Sequence, residues 1–326
     1  MFPDKQIVAW SLALGGLQRG IPTMLLYVLE SKGSSPGRQG FFMVVNAEGE
    51  MEGSIGGGIM EHKFTELAQE KLQQKEGIMS VRRQVHDKDV VRDQSGMICS
   101  GEQMILLYTL RAEDAAVVQD VKGCLEEYRS GSLQLSPAGM RFSSNVPDRD
   151  FSFYQGSEEE WLYEERAGYK HHLFIIGGGH CALAFSRLMR MMDFHITVFE
   201  HRPSLVTLLR NEFAHEKILL EEYAELAERL PAAGYNRYVV VMTQGYRSDD
   251  RAVRALLGKE FGYFGLLGSR AKVERLWASY EAEGIDGEIL RGIHAPAGLA
   301  IKSQTPEEIA VSIAAEIIGV RNRNKP

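Results

Sequence analysis

The clearest pattern in the chain lies in its second half, where four apolar residues, Leu173-Phe174-Ile175-Ile176, run into Gly177-Gly178-Gly179 and then into a helical spacing over 181–190. An unbroken apolar run of this length reads as a strand buried on both faces, and the glycines read as a tight turn into the helix. A second strand over 195–199 closes on Glu200. Alternation then continues, with helices predicted over 204–211 and 223–230 and strands over 217–220, 238–242 and 263–267. Ser248 is the expected N-cap of the helix after the fourth strand, and Gly268-Ser269-Arg270 opens the helix after the fifth. The last helix is announced by Thr305 as N-cap, Pro306 in its first turn and Glu308 as the capping-box partner, with Ile309, Ile313, Ala314 and Ile317 on one face. Strands alternating with helices predict a doubly wound parallel sheet.

The first half is less regular. Ile7, Trp10, Leu14 and Leu17 mark an amphipathic helix ending near Gly20, and 24–29 is a strand. A loop rich in turn formers follows over 30–40, carrying Lys32 and Arg38, and then a hairpin over 41–51. Gly53-Ser54-Ile55-Gly56-Gly57-Gly58 precedes a helix with Met60, Phe64, Leu67 and Lys71 at helical spacing. Strands are predicted over 81–86 and 103–110, with a turn at 96–101 that holds Cys99, and a helix over 115–129 carries Cys124 on its apolar face. Residues 130–168 read as short strands and a linker belonging with the first domain. The expected organisation is an N-terminal mixed α+β domain over 1–168 and a C-terminal Rossmann-like domain over 169–326.

Composition narrows the function classes. A formal net charge of −7 with no run of Lys and Arg gives no support to a nucleic-acid surface. No apolar stretch reaches the about 18 residues that a membrane span requires. Three cysteines without CxxC spacing fit a reducing compartment, so a cytoplasmic location is expected.

Candidate chemistry gathers at the glycine turns. Gly177, Gly179 and Ala182 fill the three positions of G-x-G-x-x-A, the turn that brings backbone and a helix N-terminus to a pyrophosphate. Glu200 stands where an acid takes a ribose hydroxyl pair, with Arg202 nearby as a partner for a phosphorylated ribose. His180, which opens the helix, is placed to bind a ligand or cap the helix. In a doubly wound sheet Thr243, Gln244, Gly268, Ser269 and Arg270 fall on the same edge as the glycine turn. In the first domain, Gly56, Gly57 and Gly58 with Ser54 can form a nest of N–H groups for an anion, or simply a turn that needs positive φ. Two such helix-opening turns in one chain favour the anion reading. Cys99 is either an accessible thiol or a packed one, whereas Cys124 is a packing residue.

Four segments together resemble the xanthine dehydrogenase accessory protein family, XdhC/CoxI: Gly33-Ser-Ser-Pro-Gly-Arg38, Gly53-Ser-Ile-Gly-Gly-Gly58 followed by Glu61, Leu266-Leu-Gly-Ser-Arg270, and Ala295-Pro-Ala-Gly-Leu299 running into Thr305 to Glu316. The resemblance implies a chaperone that binds molybdenum cofactor, as molybdopterin or its dinucleotide form. It would protect the cofactor and deliver it to a xanthine-dehydrogenase-type molybdoenzyme. A homodimer and a cysteine desulfurase partner also follow from the resemblance, and a soft thiolate at Cys99 would suit molybdenum or a transferred sulfur. The chain departs from the family pattern at Cys99-Ser100-Gly101, at Thr243-Gln244 where a histidine is usual, and at Glu200 where Asp is usual. The competing reading is an NAD(P)-dependent oxidoreductase using the second domain.

Overall fold

The computed structural model describes residues 4–85 and 101–323, and the chain divides into two compact units, one reaching to Tyr169 and the other beginning at Lys170. The first unit starts with α1 (Lys5–Arg19). Asp4 caps it by accepting from the N–H of Gln6 at 2.9 Å, and Gly20 ends it in the left-handed conformation. Next come β1 (Thr23–Gly33), β2 (Phe42–Asn46), β3 (Met51–Gly53), α2 (Gly58–Gln73), β4 (Met79–Val85), β5 (Gly101–Thr109) and α3 (Ala115–Glu126).

The strands form an antiparallel sheet in the order β3-β2-β1-β5-β4. The central β1 explains the unbroken apolar run at its start. Leu25, Tyr27 and Leu29 enter one core with Trp10, Val118 and Val121, while Met24, Leu26 and Val28 enter another with Met60, Phe64 and Leu72. The strand continues to Gly33, into the predicted loop, because Glu30 to Gly33 pair with Met104 to Gly101 after a bulge. Pairing partners about 70 residues away are invisible to local turn propensity.

Residues 130–168 are not a linker. They are β6 (Gly131–Ser136), β7 (Gly139–Ser143), β8 (Phe151–Gln155) and β9 (Trp161–Ala167), an antiparallel sheet in the order β7-β6-β9-β8. Leu133, Leu135, Trp161 and Tyr163 alternate along their strands and enter the core that holds Tyr27. Cys124 is fully buried on α3.

The second unit holds β10 (His171–Ile176), α4 (His180–Arg190), β11 (Phe194–Glu200), α5 (Val206–Leu209), β12 (Glu216–Leu219), α6 (Leu226–Arg229), β13 (Ala233–Val241), α7 (Tyr246–Leu256), β14 (Glu260–Leu266), α8 (Arg270–Ala282), α9 (Gly287–Arg291) and α10 (Pro306–Arg323). Its five strands are all parallel, in the order β12-β11-β10-β13-β14. Residues of α4 and α10 cover one face and residues of α7 and α8 the other, so β10 and β13 are apolar on both sides. The predicted helix over 204–211 shrinks to four residues, since Thr207 and Leu208 reach the core while Val206 and Leu209 stay exposed. The cap of α10 forms as expected: Glu308 N–H donates to Thr305 Oγ1 at 3.2 Å, and Gln304 N–H donates to Glu308 Oε2 at 2.6 Å. Among the described residues no helix is long and apolar enough to cross a membrane.

Candidate functional site

The strand order reverses direction of growth between β10 and β13, which makes the carboxyl ends of these two strands the switch point where open α/β sheets take ligands. Gly177 leaves β10 there with φ of 111°. A Cβ on it would stand 2.5 Å from the Met242 carbonyl oxygen, so only glycine lets the turn press against the end of β13. The turn is tied down on both sides. Gly177 N–H donates to Phe199 O at 2.7 Å, Gly178 N–H donates to Glu200 Oε2 at 2.8 Å, and Gly178 O accepts from Thr207 Oγ1 at 2.6 Å. Gly179 then opens α4 with no side-chain cap and with open space where a Cβ would stand. His180 is exposed and Ala182 is fully buried. The first N–H groups of an uncapped helix of this length carry the positive end of its dipole toward the edge.

Glu200 does not offer a free carboxylate to a ribose. It is fully buried, and its Oε1 accepts from His201 N–H, Arg202 N–H and Arg202 Nε at 2.9, 3.2 and 3.0 Å. Its Oε2 accepts from Gly178 N–H and from Arg202 Nη2 at 2.6 Å. Burial alone would raise its pKa, but the Arg202 guanidinium and the Gly178 N–H outweigh burial and push it down to about 2. The expected reader of the ribose is therefore the internal brace of the glycine turn and of Arg202. Nothing in the local sequence marks the difference, because Arg202 is positioned by the strand end rather than by periodicity.

A second brace lies at the ends of β13 and β14. The predicted cap Ser248 sits inside α7, which begins earlier, at Tyr246, with Gly245 as its N-cap. The residue that secures this loop is Asp249, fully buried, whose Oδ1 accepts from Thr243 N–H at 3.2 Å and Thr243 Oγ1 at 2.6 Å. Its Oδ2 pairs with Lys272 Nζ, which also donates to Leu267 O at 2.7 Å. Gly268 is where that side chain passes: a Cβ there would stand 2.1 Å from Lys272 Cε. Ser269 caps α8 by accepting from Lys272 N–H at 3.3 Å, and Ser269 and Arg270 are exposed. Asp249 and Lys272 were not among the sequence candidates. A signal existed for the first: Asp249 stands on the same helical face as Ala252, Val253 and Leu256, all buried, so a charge on that face needed a partner.

The structure thus brings Gly177, Gly178, Gly179, His180, Glu200, Thr243, Gly268, Ser269 and Arg270 to one edge of the parallel sheet. Gln244, exposed at the same edge, accepts from Arg202 Nη1 at 2.7 Å.

In the first unit the glycine turn does form a nest, and the chain fills it with its own carboxylate. Glu61 Oε2 accepts from Ser54 Oγ at 2.6 Å and from the N–H groups of Ile55 and Gly57, both at 2.9 Å. Gly56 N–H donates to Ser54 Oγ at 3.1 Å, and Gly58 begins α2. The expected anion site of this loop is therefore corrected: Ser54, Gly56 and Gly57 are engaged internally, and Glu61 is the anion. The loop over 33–38 adjoins it, since Gln103 Nε2 donates to both Gly37 O and Ile55 O at 3.1 and 3.3 Å. Cys99 lies outside the described residues. Among the described residues no group of three or more His, Cys, Asp and Glu could hold a metal ion.

Fold and edge define a protein of two units, the second a Rossmann module with its phosphate-type turn at the switch point. Residues 173–317 match the XdhC Rossmann domain and residues 17–82 match the XdhC and CoxI family. Together these matches take up well over half of the chain, and the chain belongs to the XdhC family. The Escherichia coli K12 protein YqeB is 26% identical over 308 residues, covering 94% of this chain and 44% of its own length. A probable xanthine dehydrogenase subunit of Bacillus subtilis 168 is 27% identical over 169 residues, covering 50% of this chain and 46% of its own length. The chain thus spans less than half the length of these relatives. A crystal structure of a xanthine dehydrogenase from Bacillus halodurans superposes with a TM-score of 0.72 at 23% identity, over 98% of this chain and 96% of that one, which establishes a shared fold.

Proposed function

We propose that this chain is an accessory factor of a xanthine-dehydrogenase-type molybdenum hydroxylase, and that it binds molybdenum cofactor and delivers it to that enzyme. Membership of the XdhC family and the similarity to a probable xanthine dehydrogenase component support the partner class. The observation that carries cofactor binding is the uncapped start of α4 at the switch point, with Gly179 leaving open space beside it. The cofactor ends in a phosphate or a pyrophosphate-linked nucleotide, and the donors at this edge suit that end: α4 N–H groups, Arg202 and Lys272, the last two only partly exposed. The Ser54 turn does not fit an added anion while Glu61 fills it. When bound, the cofactor supplies the metal and dithiolene chemistry of the target hydroxylase, while this chain holds and shields it. Cys99 is proposed as the thiolate for the metal end, and a cysteine desulfurase and a second copy of the chain are proposed partners.

Coexpression with the target apoenzyme tests the reading. The purified chain is expected to carry a pterin that yields the fluorescent oxidation product of molybdopterin, and the hydroxylase is expected to lose activity when the chain is omitted. Absence of pterin from the chain together with full hydroxylase activity without it would overturn the proposal. Cys99→Ser is expected to lower hydroxylase activation while the chain remains folded.

A further inference from the structure

β3 stands at the rim of the antiparallel sheet, paired with β2 on one side and, among the described residues, with no strand on the other. The register shows which of its backbone groups are left over. Asn46 N–H donates to Glu50 O at 3.0 Å and Ser54 N–H donates to Phe42 O at 2.9 Å, so both of these opposed pairs are hydrogen-bonded. Opposed residues of an antiparallel pair alternate between bonded and unbonded. Met51 and Gly53 are therefore the unbonded positions, and their N–H and C=O groups point outward along the free edge. All three residues of β3 are exposed.

Beside that edge lies a groove of about 420 Å³ whose other wall is α1, through the half-buried stripe of Val8, Leu12 and Gly15. Gly15 is the unusual member. Glycine inside a helix costs about 1 kcal/mol relative to alanine, and a Cβ there would meet nothing within 4 Å. Internal packing gives no reason for it, whereas a chain passing close to the helix does.

Charge decides the occupant. Glu50 and Glu52 line the groove, and Glu52 lies opposite Val44, which faces the same core as Trp10 of α1. Arg19, the cation of the lining, is already paired with Glu50 at 3.2 Å and with Glu48 at 3.5 Å. Three carboxylates against one guanidinium leave the rim acidic, with Glu52 outside those pairs. A second copy of the chain fits badly here. The antiparallel register that uses the outward groups of both Met51 and Gly53 sets Glu52 directly opposite Glu52 of the second copy, and like charges so placed are destabilising. Charges on a short edge strand do guard against self-pairing, but that purpose does not call for an adjoining groove with an open helical glycine.

We propose that this groove receives an extended segment of another protein, which adds a strand to β3, sets a Lys or Arg opposite Glu52 and lays an apolar side chain beside Met51. Main-chain bonds to Met51 and Gly53 supply affinity, and the alternation of cation and apolar residue supplies selectivity. The aliphatic stem of the cation lies along Val8 and Leu12. The surface belongs to the first unit, and it stands or falls independently of cofactor binding in the second.

Fluorescence anisotropy of the full chain with labelled peptides that alternate Val with Lys, Val with Glu, or Gly with Lys tests it. The Val and Lys peptide is expected to bind at least about tenfold more tightly than either of the others, with affinity that falls as salt is raised. Amide hydrogen exchange at Met51 and Gly53 is expected to slow in that complex. Gly15→Leu fills the groove from a position with room for a side chain and with a better helix former, so the fold is kept, and it is expected to weaken binding at least about tenfold. Glu52→Lys is expected to turn the preference toward the Val and Glu peptide. Failure of the Val and Lys peptide to bind, equal binding of all three peptides, or unchanged affinity in folded Gly15→Leu overturns the proposal. So does protection of Met51 and Gly53 without peptide that grows with protein concentration, which would make this edge an interface between copies.

Discussion

Ser54 donates its hydroxyl hydrogen to Glu61 Oε2 at 2.6 Å across the turn that separates them, and the same oxygen takes two backbone N–H groups of that turn. The carboxylate occupies the position an external anion would take. Glu61→Ala is expected to lower stability by about 1–3 kcal/mol, since it leaves those donors without an acceptor. Urea unfolding measures it. In the variant, phosphate should restore part of the loss and leave the wild type unaffected; no such restoration would show that the nest is not an anion cradle once emptied.

Lys272 and Asp249 join the loops after β13 and β14, and Asp249 is fully buried. Lys272→Met is expected to destabilise the chain by about 3–5 kcal/mol, because the buried carboxylate loses its counter-charge. Adding Asp249→Asn should recover part of that loss, giving a coupling of about 1–3 kcal/mol in a double-mutant cycle. Strict additivity would show that the pair contributes nothing jointly.

At the opposite end of the sheet His195 and His215 stack with ring centroids 4.6 Å apart. Burial, with His172 and Arg190 near His195, pushes its pKa down to about 3. Burial, with Arg190, His195 and His172 near His215, pushes that pKa down to about 2. Both rings are therefore neutral when folded and take up protons on unfolding below an ordinary pKa of about 6.5. Their contribution is complete above that pH and declines as pH falls below it, by up to about 1.4 kcal/mol per pH unit for each group. Glu200, with its pKa lowered, adds a further loss that begins only below about pH 4.5 and continues toward about 2. Melting temperatures between pH 8 and pH 5 should fall on the acid side, and His195→Phe should flatten the slope. A curve level through pH 5.5 would contradict it.

Cys124 is fully buried, whereas Cys181 is partly exposed in the first turn of α4; burial raises both thiol pKa values. In a Cys99→Ser background, iodoacetamide is expected to modify Cys181 at least about tenfold faster than Cys124, since access differs more than thiolate fraction. Pyrophosphate bound at the glycine turn should protect Cys181. Peptide mass spectrometry after timed quenching reads both.

The parallel sheet was legible because burying a strand on both faces demands an unbroken apolar run, because Gly177 lacks the Cβ that its turn excludes, and because Thr305 and Glu308 cap their helix with their own side chains. The capping box of α10 forms between residues a single turn apart, so a window of the chain contains the whole interaction. The sheet over 131–167 was only half visible, since its short strands pair across gaps that local pattern does not bridge.

The sequence by itself determined the succession of strands and helices, the turn glycines and the edge on which the candidate residues meet. It could not determine which charges are spent. Glu200 is consumed by Arg202 and Gly178, Asp249 by Thr243 and by Lys272 23 residues away, and the Ser54 turn by Glu61. Whether a carboxylate faces a ligand or a neighbour depends on donors brought close by other loops, and only the folded chain supplies those distances.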